Sequence, residues 1–503
     1  MKLPAPRDAA RPCVLALDCG TTGNRAIVFD RSQAVIASSY REFTQKYPKP
    51  GWVEHDAEEI MDSVRRVLGE VLKKVPPSRI RAMGVTNQRE TIVFWNRSTG
   101  KPIAPAIVWQ CRRTTDLCAR LKKQGLEADV HRRTGLFLDP YFSGSKIRWM
   151  TENHPGLSRR LARGEVICGT IDAWVIWKLT AGRVFATDPT NASRTLLYNI
   201  RTGKWDPKLL KIFKTPPRAL PAVLPSLGIR GSTDRRAAGA EILIAGVAGD
   251  QQAASFAQGC FREGIVKNTY GTGLFLVAET GRRIKLSDRL LTTVAVSTDR
   301  HLRYALEGSI FIGGAAVQWL RDGLGILKNA SETEKIASRL PSNDDVYFVP
   351  ALAGLGCPHW DPDARGLLIG LTRRTSRAHL VRAALEAMAY QTRDVLELLR
   401  KEVHYPVKRL GVDGGAVRND FLMQFQADMA GCEVERPKVT ETTALGAAGL
   451  AGIATGLWKT KEDFLKSRKA DRIFKPKMNP KVAGRLYARW QKAVLRARHW
   501  IGE

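Results

Sequence analysis

Two short segments, one in each half of the chain, share a plan that limits the folds open to it. In residues 13–30, CVLALDCGTTGNRAIVFD, the apolar Val14, Leu15 and Leu17 lead into a Gly/Thr/Asn turn, and Ala26 to Phe29 resume after it. Residues 264–278, GIVKNTYGTGLFLVA, repeat this: Ile265 and Val266 lead to Gly271, Thr272 and Gly273, followed by Leu274 to Val277. Apolar runs broken by a small polar turn predict β-hairpins, and their recurrence predicts a duplicated fold. Each turn offers backbone N–H groups unobstructed by side chains, plus hydroxyl donors, which together suit phosphate oxygens. Taken singly, either hairpin would equally suit an ordinary structural turn.

Farther along, residues 407–412 predict a buried strand, Asp413, Gly414 and Gly415 a turn, and residues 419–429 a helix with Phe421, Leu422, Phe425 and Met429 at helical spacing. Residues 377–399 and 443–453 predict further helices, so the class is α/β. A chain of 503 residues exceeds the roughly 250–300 at which one core stops growing. Two domains are expected, 12–256 and 257–503. No Pro-rich or Gly/Ser-rich tether separates them, so they should abut around a cleft suited to a small ligand.

Composition removes other classes. The longest apolar runs, such as residues 14–17 and 367–369, fall far short of the about 20 residues that span a bilayer. Residues 1–12 are basic but hold no signal-peptide apolar core, so a cytoplasmic location is expected. Eight cysteines without paired CxxC spacing indicate reduced thiols rather than a disulfide framework or a zinc site. The formal charge of +31 raises nucleic acid as a partner. The basic residues are dispersed, however, and no helix-turn-helix, zinc-finger or RNP-type motif accompanies them, so nucleic acid is not the main function. Residues 482–500 predict a basic amphipathic helix, with Leu486, Trp490 and Val494 packing on the second domain.

Phosphate handling does not rest on a GxxxxGK[ST] loop or on HRD and DFG motifs, since none occurs. Two long patterns do occur. The first is Tyr141-Phe-Ser-Gly-Ser-Lys146-Ile-Arg-Trp149-Met-Thr-Glu-Asn153. The second is Gly366-Leu-Leu-Ile-Gly370-Leu, then, seven residues on, His379-Leu-Val-Arg-Ala-Ala-Leu-Glu386. In these the chain resembles the FGGY carbohydrate kinases over about residues 12–500. The resemblance implies two RNase-H-like domains of the actin and hexokinase type, with ATP, Mg²⁺ and the acceptor in an interdomain cleft. It also implies a homodimer or homotetramer.

A narrower set resembles the family's glycerol-phosphorylating members: Asn87-Gln-Arg89-Glu90-Thr, Trp109-Gln-Cys-Arg-Arg, Asp139-Pro-Tyr141-Phe-Ser-Gly and Ala248-Gly-Asp250-Gln251-Gln252. By that resemblance Arg89, Glu90, Tyr141, Asp250 and Gln251 bind the polyol hydroxyls, Trp109 and Phe275 pack its carbons, and Asp250 is the general base. Carboxylates plus an arginine can serve hydroxyls as both donors and acceptors. Thr21, Thr22, Gly23 and Arg25 on the first hairpin and Thr272 on the second are expected on phosphate oxygens. Gly314, Gln318, Gly415 and Asn419 are expected around the nucleotide, and Asp18 beside Mg²⁺. Taken alone, Arg89-Glu90 could be a structural ion pair, Trp109 core and Asp18 a turn residue.

Two departures stand out. Cys19 replaces the family's usual Gln, and Gly23-Asn24 replace a hydroxyl pair, removing one donor to phosphate. Residues 233–241 lack the glycine-rich loop of members inhibited by fructose 1,6-bisphosphate, which implies no such inhibition. The alternatives are a kinase for another small polyol or ketose, and a non-catalytic ATP-binding switch of the same fold.

Overall fold

The computed structural model describes residues 12–299, 301–403 and 405–501. The basic start therefore lies almost wholly outside the described residues. The first hairpin forms as the sequence predicts: Cys13–Cys19 pairs antiparallel with Gly23–Asp30, closed by a Gly20 N–H to Gly23 O bond of 3.0 Å. Strand Cys13–Cys19 is apolar on both faces because both are covered. Leu15 and Leu17 join a core with Ile60, Val64 and Trp174, while Val14 and Ala16 join another with Ala253, Phe256 and Leu445.

This hairpin sits in a six-stranded sheet of order Leu227–Ser232, Leu243–Gly249, Ile80–Asn87, Cys13–Cys19, Gly23–Asp30, Val35–Glu42. Cys13–Cys19, Ile80–Asn87 and Leu243–Gly249 run parallel; the other pairings are antiparallel. The second hairpin, Ile265–Tyr270 with Leu274–Gly281, belongs to a seven-stranded sheet. Its order is Leu291–Ala295, Arg303–Ile310, Leu274–Gly281, Ile265–Tyr270, Arg409–Asp413, Glu433–Pro437, Ala470–Phe474. Apart from the extra strand Leu291–Ala295, the sense of each pairing repeats the first sheet: an antiparallel meander of three, two parallel additions, then an antiparallel edge. The duplicated hairpin is thus the visible part of a duplicated RNase-H-like fold.

The predicted helices appear as Arg377–Glu402, Asp420–Ala430 and Thr442–Ala454. The basic C-terminal segment forms Pro480–Ala497 and buries Ala483, Trp490, Ala493 and Val494 in the second core. Helix Thr442–Ala454, although late in the chain, lies on the first sheet. Its small residues allow backbone-to-backbone contact: a Cβ at Gly84 would stand 2.0 Å from Ala447 O, and one at Gly446 only 1.9 Å from Ala253 O. All eight cysteines are free and buried. Among the described residues no helix is long and apolar enough to cross a membrane.

Candidate active site

The parallel strands Cys13–Cys19, Ile80–Asn87 and Leu243–Gly249 end side by side, with Asn87 opposite both Cys19 and Gly249. Ligands of open α/β sheets bind outside such carboxyl ends. That edge brings together the first hairpin turn, Arg89-Glu90 and Asp250, which are far apart in sequence. A cavity of about 330 Å³ opens there, and its walls include Arg89, Glu90, Trp109, Tyr141, Asp250, Gln251 and Phe275, all of the residues expected at the polyol. The Trp109 ring meets Tyr141 edge-on at 5.6 Å and Phe275 at 6.1 Å, forming an apolar wall. The indole Nε1 donates to Thr21 Oγ1 at 3.0 Å, tying this wall to the first hairpin turn.

The polar side of the cavity is an ionic network. Asp250 opens helix Asp250–Ala257; its Oδ1 forms an ion pair with Arg89 Nε at 3.1 Å and accepts from the Gln251 N–H at 2.7 Å. Neither contact uses Oδ2. Glu90 has a backbone φ of +63°, a strained conformation of the kind found at functional sites. Its burial is nearly complete, which pushes its carboxyl above the usual range while Arg194 and Arg89 oppose that. Tyr141 donates its backbone N–H to Asp139 Oδ1 at 2.8 Å. Behind it, Lys146 Nζ donates to the carbonyls of Pro140, Tyr141 and Phe142.

Three residues of this network escaped sequence reasoning. Arg194 Nε donates to Glu90 Oε1 at 2.6 Å, and its guanidinium lies 5.5 Å from the Tyr141 ring. Glu307, on the second sheet, accepts from Arg89, and Lys267 Nζ donates to Gln251 Oε1. For Glu307 and Lys267 the available signal was a charged residue inside an apolar strand, as in Tyr-Ala-Leu-Glu307-Gly-Ser-Ile, whereas Arg194 lies in no strand. A buried charge must be paired or lose its charge.

A second cavity of about 500 Å³ lies in the C-terminal half, and Gly314, Gln318, Gly415 and Asn419 all line it. Gly271, Thr272 and Gln318 line both cavities, so the second hairpin turn stands at their junction. Gly414, at φ +93°, has Tyr270 O where a Cβ would be, 2.4 Å away, so only glycine fits this turn. Asn419 caps helix Asp420–Ala430, accepting from Leu422 N–H at 2.9 Å and donating to Thr333 Oγ1 at 3.1 Å.

Thr21 and Thr22 line the smaller cavity. Gly23 and Arg25 line neither cavity. Arg25 instead pairs with Glu441 and stacks over Tyr40 at 4.9 Å. Gly23 has a packing reason: a Cβ there would stand 2.5 Å from Arg41 O and 2.8 Å from the Tyr40 hydroxyl. Asn24 turns inward and donates to Ile60 O at 3.0 Å, and Cys19 is buried. Asp18 is pushed up to about 7 by burial, and Asp250 adds to the rise. A carboxylate oxygen is the donor type that a hard cation such as Mg²⁺ takes, alongside phosphate and water ligands. Among the described residues no group of three or more His, Cys, Asp or Glu is placed to hold a metal alone.

A two-lobed α/β fold with a polyol-sized cavity joined to a larger one defines a small-molecule phosphotransferase architecture. The profiles of the FGGY family of carbohydrate kinases match residues 13–257 with the N-terminal domain and 266–455 with the C-terminal domain. The chain belongs to this family. It is 53% identical to a glycerol kinase of Shewanella woodyi over 96% of this chain and 98% of that protein. It is 54% identical to one of Shewanella amazonensis over the same shares. The crystal structure of Plasmodium falciparum glycerol kinase with ADP superposes with a TM-score of 0.89 at 35% identity, covering 97% of this chain and 98% of that one. A xylulose kinase from Lactobacillus acidophilus, at 22% identity and a TM-score of 0.85, shares the fold.

Proposed function

We propose that the protein transfers the γ-phosphoryl group of ATP to glycerol, giving sn-glycerol 3-phosphate and ADP. The observation that carries this reading is the small cavity itself: three aromatic rings on one side, Arg89, Glu90 and Asp250 on the other, opening past Thr272 and Gln318 to the larger cavity. A three-carbon polyol presents an apolar edge and a hydroxyl edge, and this cavity has one wall for each. The nucleotide occupies the larger cavity with its phosphates between the two hairpin turns.

A glycerol hydroxyl oxygen attacks the γ-phosphorus, the bond from that phosphorus to the β–γ bridging oxygen breaks, and ADP leaves. The hydroxyl proton passes to the Asp250 carboxylate, which Arg89 and the Gln251 N–H hold through Oδ1. Asp18 is the residue that would hold Mg²⁺, which when bound would supply neutralisation of phosphate charge. The working units are residues 12–256 and 257–503, the assembly is a homodimer or homotetramer, and the location is cytoplasmic.

Coupled ADP release is measured with glycerol, dihydroxyacetone, erythritol, ribitol and xylulose, for wild type and Asp250→Asn. Glycerol should give the highest kcat/KM, and the variant should lose about 10²–10⁴-fold in kcat while still binding glycerol. A higher kcat/KM for another acceptor would move the substrate; an unchanged kcat in Asp250→Asn would remove the base. No turnover by wild type would favour an ATP-binding switch.

A further inference from the structure

Arg89 belongs to the first half of the chain, yet its strongest partner comes from the second. Its Nη1 and Nη2 donate to the two oxygens of Glu307, at 2.5 and 2.9 Å, a bidentate pair whose members are both almost fully buried. Glu307 stands on strand Arg303–Ile310 of the second sheet, beside Leu274–Gly281, the strand that carries Phe275. Its Oε1 also accepts from Arg194 Nη2 at 3.0 Å and from Ser309 Oγ at 3.2 Å. Arg194 in turn holds Glu90. One carboxylate of the second half thus braces two of the charged polyol residues of the first, Arg89 and Glu90.

The donor count shows what the bracing leaves free. A guanidinium has five N–H donors. Nη1 uses its two on Glu307 and on Gln252 Oε1 at 3.2 Å, Nε faces Asp250, and Nη2 spends one on Glu307. One Nη2 donor remains for a polyol oxygen. Burial alone would raise the Glu307 carboxyl, but Arg194 and Arg89 overcome it and pull it down to about 2, so the brace is charged at every working pH. Arg194 Nη1 is already buried with no partner, so loss of Glu307 would leave a second donor of that guanidinium unpaired.

We infer that Glu307 is a positioning residue for phosphoryl transfer: it fixes Arg89 directly and Glu90 through Arg194, so the polyol site is complete only while the second half is docked on the first. The inference rests on the reading of Arg89 and Glu90 as polyol ligands. Without the carboxylate, Arg89 would turn toward Asp250 and Glu90, its remaining anionic neighbours at 3.1 and 3.9 Å. Both the free donor and the base would then be misaimed.

The test compares wild type, Glu307→Asp and Glu307→Gln in the full chain, using whichever polyol the wild-type protein turns over best, with separate KM values for polyol and ATP and with thermal melting. Polyol KM should rise in the order wild type, Asp, Gln, reaching about tenfold or more in Gln, because buried donors lose their acceptor. ATP KM should stay within about twofold, since Arg89, Arg194 and Glu307 do not line the larger cavity. Glu307→Asp keeps the charge and moves it by one methylene, so it reports even if Glu307→Gln does not fold. A merely structural role predicts lower melting temperatures with wild-type polyol KM, and that result overturns the inference, as does an equal rise in both KM values. Failure of glycerol as the substrate would show in wild type alone and leave this comparison standing.

Discussion

Gly446→Ala places one methyl group where two helices cross and should slow catalysis. The Cβ would stand 1.9 Å from Ala253 O, 2.5 Å from its C and 3.0 Å from its Cα. All three are backbone atoms, so no rotamer change can relieve the clash. Ordinary contact begins near 3.4 Å, so the helices must separate by about 1.5 Å. Ala253 lies in helix Asp250–Ala257, whose first residue is the proposed base. Overpacking costs about 1–3 kcal/mol, while alanine gains at most about 1 kcal/mol over glycine within a helix. A misplacement of about 1 Å at a reacting group can cost about 10²-fold in rate.

The expected result is a lower melting temperature and a fall in kcat of about 10- to 100-fold. Gly484→Ala is the control: it lies in helix Pro480–Ala497, a Cβ there meets nothing within 4 Å, and it should hold or raise the melting temperature with wild-type kcat. Melting by circular dichroism and coupled ADP release measure both. If Gly446→Ala behaves like Gly484→Ala, the close crossing does not position Asp250.

Three further outcomes are expected. Lys146→Met removes the ammonium that binds the carbonyls of Pro140, Tyr141 and Phe142, each lost bond costing about 1–3 kcal/mol; glycerol KM should rise, and a wild-type KM would separate Lys146 from the Tyr141 loop. Asp394, buried against Tyr487 Oη at 2.6 Å and Trp490 Nε1 at 2.8 Å, is raised by burial to about 7. The folded state therefore holds an extra proton between about pH 4 and 7, and the stability this gives is lost as pH rises through 7, by up to roughly 4 kcal/mol. Asp394→Asn should gain in melting temperature relative to wild type from pH 5 to pH 8, and a constant difference would refute this. Residues 233–241 form a short helix, Arg235–Ala238, capped by Asp234, so millimolar fructose 1,6-bisphosphate should leave the rate unchanged; saturable inhibition at low salt would show otherwise.

Local patterns carried most of the fold. A run such as CVLALDC followed by GTTG has few alternatives to a buried strand and a tight turn, and the same plan 250 residues later marked the duplication. The residues lining the smaller cavity were named through the family resemblance of their short motifs, not through periodicity, and the structure gathers them around one cavity. Arg25, expected on phosphate from its family-like position on the hairpin, has an ion-pair partner that no local motif announces: Glu441, 416 residues onward.

Sequence by itself determined the duplicated α/β plan and the two hairpin turns, since these depend on apolar periodicity and on conformations that few residue types adopt. Tertiary structure alone decided which charges meet: Glu307 and Arg89 are separated by 218 positions, and Arg194 and Glu90 by 104. It also decided why Gly446, a poor helix former, stands inside a helix. Charge pairing and backbone contact act over a few ångströms of space, and sequence distance carries no record of that separation.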